Sequence, residues 1–174
     1  LAGYENDGAA DPTWTAANST TSADGVRSVV AADMDNDGDM DIISASENDD
    51  KIAWYENDGA ANPTWAAANI ATNVEGASSV FAADMDNDGD MDIVSASLHD
   101  NTIAWYENDG AANPTFTTAA NNSTVDGGFE SVFAADMDND GDMDIVSASQ
   151  DNDAITWYEN DGAADPAFTA ADIA

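Results

Sequence analysis

The chain has 174 residues, 43% of them apolar, and sets 36 Asp and Glu against Arg27 and Lys51 alone, for a formal charge of −34. That apolar content sustains a folded core, while so acidic a surface repels nucleic acid and anionic membranes. The lack of cysteine excludes disulfides and thiol catalysis, and no run reaches the roughly 18 apolar residues that a membrane span needs.

Residues 1–18 read as two strands around Tyr4-Glu-Asn-Asp-Gly8, a phrase that returns at Tyr55–Gly59, Tyr106–Gly110 and Tyr158–Gly162. Trp54, Trp105 and Trp157 precede the later copies, and Gly3 stands in the first. Asp-Gly suits the positive φ of a tight turn, so each copy predicts a strand running into a turn.

Next comes a nine-residue aspartate ladder, Asp33-Met-Asp-Asn-Asp-Gly-Asp-Met-Asp41, repeated without change at Asp84–Asp92 and Asp136–Asp144. Around each ladder the sequence predicts four short strands. In the second copy these are Ser79–Ala83, Asp92–Ser97, Thr102–Glu107 and a last one around Thr115–Thr118. Their β-branched residues suit strands, and no segment shows a helical apolar period. Repeats of about 50 residues indicate a solenoid, propeller or array, and four antiparallel strands per repeat is blade geometry. The expected architecture is all-β: β-propeller blades over 27–71, 78–122 and 130–174, preceded by a two-strand partial blade in 1–18.

Each ladder carries five carboxylates on alternate positions around one glycine: Asp33, Asp35, Asp37, Asp39 and Asp41; Asp84, Asp86, Asp88, Asp90 and Asp92; Asp136, Asp138, Asp140, Asp142 and Asp144. Such a cluster repels itself unless a cation sits within it, and this many hard oxygen ligands point to calcium. Three ions per chain would bring the net charge to about −28. An EF-hand is the competing reading, but it needs flanking helices and a Glu at position twelve, where Ser44, Ser95 and Ser147 stand.

The ladder followed by Trp-Tyr-Glu-Asn-Asp-Gly resembles the FG-GAP repeats of the VCBS type, which build β-propellers in integrin α-subunits and secreted bacterial proteins. The resemblance covers essentially the whole chain. It implies that the ladder joins the first two strands of a blade, with calcium held by the side chains at positions one, three, five and nine. The backbone carbonyl at position seven, of Asp39, Asp90 or Asp142, completes that set, and Gly38, Gly89 and Gly141 supply its sharp turn. Three blades do not obviously close a ring. Either two or more chains assemble into one as a homo-oligomer, or the chain is a piece of a longer propeller.

Where the repeats disagree, function is sought. One variable set is Glu47–Lys51, Leu98–Asn101 and Gln150–Asp153; the other is Ser19–Arg27, Ala71–Ser78 and Ser123–Glu130. In a propeller both emerge opposite the calcium loops, on the face integrin-like propellers use for ligands. The rare side chains Arg27, Lys51, His99 and Phe129 fall in or beside these segments and form the candidate ligand face for a glycan or a protein. One histidine with no nucleophile nearby argues against an enzyme. The expectation is an extracellular binding or adhesion module, the alternative a purely structural repeat of a larger surface protein.

Overall fold

The computed structural model describes residues 2–6, 14–18, 23–121 and 127–173. Among them every helix or strand is a strand. A two-stranded ribbon, β1 (Ala2–Asn6) with β2 (Trp14–Asn18), precedes three four-stranded antiparallel sheets. Blade 1 is β3 (Val26–Ala32), β4 (Asp41–Ser46), β5 (Lys51–Asn57) and β6 (Trp65–Ala71), hydrogen-bonded in that order. Blade 2 repeats it with β7 (Ala77–Ala83), β8 (Asp92–Ser97), β9 (Ile103–Asn108) and β10 (Phe116–Asn121). Blade 3 is β11 (Phe129–Ala135), β12 (Asp144–Ser149), β13 (Ala154–Asn160) and β14 (Phe168–Asp172). Each sheet is thus an up-and-down meander, as the repeat predicts.

The first strand of each blade starts two residues earlier than Ser79 suggests, because the ladder register slips at its beginning. The slip lies between Val26 and Ser28, Ala77 and Ser79, and Phe129 and Ser131. A bulge of this kind leaves one residue unpaired and hides the strand from period-two reading. In blade 2 the unpaired residue is Ser78, whose hydroxyl donates to the Ala96 and Phe129 carbonyls at 3.0 and 2.5 Å.

The core lies between blades rather than within them. Alternate residues of one strand point to opposite faces of its sheet. Val80, Ala82, Ile93, Ala104 and Tyr106 therefore pack on blade 1 residues such as Met34, Ile43, Ile52 and Trp54. Their neighbours Met85, Val94, Ile103 and Trp105 pack on Phe129, Val132, Ile145 and Tyr158 of blade 3. This two-sided burial explains why Asp92-Ile-Val-Ser-Ala-Ser97 reads as an unbroken buried run instead of an alternating one. Edge-on aromatic pairs bridge the outer strands, Trp54 with Phe116 and Trp105 with Phe168, at centroid distances of 6.2 and 6.3 Å.

Candidate metal centre

Each ladder is the loop that joins a blade's first two strands, between the paired residues Ala32 and Asp41, Ala83 and Asp92, and Ala135 and Asp144. Two residues of every loop lie in the left-handed region. Gly38, Gly89 and Gly141 have φ of 97°, 98° and 105°, and the asparagines two residues before them, Asn36, Asn87 and Asn139, have 59°, 61° and 66°. Asparagine tolerates that region better than other side chains, which accounts for its fixed place at position four.

The loop wraps its own amides around its carboxylates. Asp37 N donates to Asp33 Oδ1 at 3.1 Å, Gly38 N to Asp33 Oδ2 at 3.0 Å and Asp39 N to Asp37 Oδ1 at 2.8 Å. The second and third loops make closely similar bonds. The result draws the carboxylates of Asp33, Asp35 and Asp37 together, as it does Asp84, Asp86 and Asp88, and Asp136, Asp138 and Asp140. In each triplet one oxygen per residue lies within 4.8 Å of the others. Calcium–oxygen bonds of about 2.4 Å place opposite ligands about 4.8 Å apart, so the triplets suit one shared ion of that size. Their hard carboxylate donors suit the same class of cation.

The electrostatics agree. Burial holds the Asp35 carboxyl above the usual carboxylate range, and the charges of Asp37 and Asp41 push it further. Asp86 and Asp138 shift in the same direction for the same leading reason. A cation among these groups relieves that penalty directly.

Positions seven and nine lie outside the triplets. Asp41 is buried, and its Oδ2 accepts the Met34 amide at 3.2 Å and the Trp54 indole at 2.9 Å, while Oδ1 accepts the Asn57 amide at 2.8 Å. Asp92 and Asp144 receive the equivalent amides, Met85 and Asn108, and Met137 and Asn160. The position-nine carboxylate thus ties the ladder to the Tyr-Glu-Asn-Asp-Gly strand. Burial pushes Asp92 up to about 7, against the pull of the Asn108 and Met85 amides. At position seven, the Asp90 and Asp142 side chains accept Asn36 and Asn87 of the preceding blade, both at 2.6 Å. Sequence reasoning missed these links; the signal was the asparagine that every ladder keeps at position four.

The Asp-Gly turn packs against the ladder of its own blade. A Cβ added at Gly59, Gly110 or Gly162 would collide with the carboxylate of Asp39, Asp90 or Asp142, and φ there is 68°, 65° and 69°. The glycine thus serves both the turn and the close approach of the ladder.

The two variable loop sets meet at the other end of each sheet. Glu47 N donates to Gly25 O, Leu98 N to Gly76 O and Gln150 N to Gly128 O, at 2.9, 3.0 and 3.0 Å. On this face Arg27 pairs with Glu47 at 2.6 Å, which raises the guanidinium pKa and lowers that of the carboxyl. Lys51 is half-buried beside Ser46, Asp49, Tyr55 and Asn69. His99 is exposed, with its ring over Gly76, in the place Asn48 holds over Gly25. Phe129 corrects the sequence reading. It is fully buried in the core between blades 2 and 3, because the bulge turns this large apolar ring inward. It offers nothing to a ligand. The Ser123–Asp126 part of the variable set lies outside the described residues, as do residues 19–22.

No match is found among curated proteins. A family model described as an FG-GAP-like repeat matches residues 33–95 and 84–147, together about two thirds of the 174 residues. Both matches start at the first aspartate of a ladder and run through the loop, the strands and the start of the next unit. The chain belongs to the FG-GAP-like repeat family.

Proposed function

We propose that the protein is an extracellular calcium-stabilised module that binds a glycan or a protein through its variable-loop face. The observation that carries the metal half of this reading is the gathering of three equivalent carboxylate triplets, one per blade, on loops whose amides pre-form the site. Calcium at such a loop clamps the first hairpin of a blade and couples metal binding to folding. Extracellular calcium is plentiful enough to keep weak sites filled, which favours that location. Among the described residues no helix is long and apolar enough to cross a membrane.

The ligand half rests on geometry. The ladders occupy one end of every four-stranded sheet, so the variable loops at the other end are free to differ, and binding residues concentrate on such loops. The reading is non-catalytic, since one histidine stands alone without a nucleophile or partner base. One observation favours the alternative of a purely structural module: the loop face satisfies itself, with Arg27 held by Glu47 and His99 resting on Gly76.

Native mass spectrometry against added calcium tests the metal, with three ions per chain expected and a melting temperature that falls sharply in excess EDTA. One site filled to 100 times its Kd adds about 2.7 kcal/mol of stability. An unchanged melting temperature sinks the metal reading. Glycan and protein arrays probed with the calcium-loaded chain, then with Lys51→Ala and His99→Ala, separate the binding module from the structural one. Binding that those variants abolish supports the first.

A further inference from the structure

We propose that the open face of blade 3 docks onto the open face of blade 1 of a second copy, head to tail, by the same contacts that join successive blades within the chain. This goes beyond the calcium and ligand readings and depends on neither.

The internal interfaces define what each face takes. Across the first of them Met34 and Ile52 are buried by blade 2, and across the second Met85 and Ile103 are buried by blade 3. Their equivalents on blade 3, Met137 and Ile155, are 48% and 42% exposed, and Phe133 beside them is 54% exposed. The opposite face tells the same story. Val80 and Val132 are each 4% exposed where they meet a preceding blade, whereas Val29 of blade 1 is 52% exposed and Met40 54%. Seven large apolar side chains are exposed among the described residues, and five of them lie on these two faces. An apolar patch of this kind on an acidic chain marks an interaction surface.

The hydrogen bonds identify the occupant. Three bonds recur at both internal interfaces, and among the described residues each has an unpaired half on the two open faces. The Asn108 amide donates to Met34 O and that of Asn160 to Met85 O, both at 2.9 Å; Asn57 donates only within its own blade, to Met40 O at 3.1 Å. The partner that Asn57 lacks is the carbonyl of Met137. Asn36 reaches Asp90 and Asn87 reaches Asp142, which leaves Asn139 to reach Asp39. Ser28 and Ser79 accept the Val80 and Val132 amides at 3.3 and 3.2 Å, which leaves Ser131 for Val29. Donors and acceptors therefore match between blade 3 of one copy and blade 1 of the next. The β1–β2 ribbon carries no ladder and no first strand, the two elements that supply these partners between successive blades.

A contact between two different faces is heterologous, and it closes a ring when the rotation permits. Two copies bring six four-stranded sheets, within the roughly four to eight blades of closed propellers.

The test is light scattering of the calcium-loaded chain over a range of concentrations, with Val29→Glu and Ile155→Glu, each made at an exposed residue and checked for fold by circular dichroism. The wild type is expected to run as a dimer and each variant alone as a monomer. An equal mixture of the two restores a two-chain species, because it retains one intact pair of faces. A monomeric wild type overturns the proposal, as does assembly that survives both substitutions. A mixture that stays monomeric overturns the head-to-tail arrangement.

Discussion

The side-chain amide of Asn108 crosses from blade 2 to donate to the carbonyl of Met34 in the ladder of blade 1, at 2.9 Å and fully out of solvent. Its second donated bond, to Met91 O at 3.0 Å, stays inside its own blade, and its Oδ1 receives the Gly110 amide. One residue of the Tyr-Glu-Asn-Asp-Gly phrase thus joins two ladders and a turn. Replacing Asn108 by alanine leaves one buried carbonyl, of Met34, and one part-buried carbonyl, of Met91, unpaired, at about 1–3 kcal/mol for the buried one. Denaturant unfolding is expected to show a loss of about 2–4 kcal/mol for Asn108→Ala. With both variants made in the monomeric Ile155→Glu background, Asn57→Ala, at the half-exposed equivalent with one donated bond, loses about 1 kcal/mol. Equal losses at the two sites contradict the inter-blade role.

Two glycines separate strain from collision. Gly38 has φ of 97° and open space where a Cβ would go, so Gly38→Ala brings backbone strain alone, about 1–3 kcal/mol. Gly110 adds a clash with the Asp90 carboxylate to its φ of 65°. Gly110→Ala therefore unfolds at lower denaturant than Gly38→Ala. If the triplets hold calcium as proposed, the Gly38 variant also weakens the first site, which calorimetric titration reads as one site lost from three.

Asp92 sets a pH dependence for the metal-free protein. Its folded value, about 7, stands above the ordinary 3.8, so folding favours the protonated form. The stability this confers is complete at pH below about 4 and is lost as pH rises through about 7. In EDTA the wild type is expected to melt at a lower temperature at pH 8 than at pH 5. Asp92→Asn, which stays neutral, flattens that slope. A slope unchanged in the variant removes Asp92 from the explanation.

Phe129 is a core residue, and its truncation tests the correction made above. Phe129→Ala is expected to cost about 3–5 kcal/mol in equilibrium unfolding, the range for a buried aromatic. Exposed neighbours on the loop face, His99→Ala among them, should change stability by about 0.5 kcal/mol or less.

Much of this molecule is legible along the chain. The ladder at Asp33, Asp84 and Asp136 marks the repeat, Asp92–Ser97 forms the strand its β-branched residues predict, and Gly38 takes the turn its position demands. These features are local, because a strand's period, a turn's φ and a loop's donors depend on neighbours a few residues away. The starts of the first strands were less legible, since a bulge at Ser78 interrupts the period from which strands are read.

The tertiary structure alone decided which copy of a residue is buried. Met34, Met85 and Met137 sit in identical ladders, yet the first two are 1% and 0% exposed and the third 48%. Phe129 looked like a loop residue and became core for the same reason. Burial belongs to the blade that lies opposite, not to the strand that carries the side chain. Near-identical repeats therefore encode one blade three times, while their packing makes two closed interfaces and leaves two faces open.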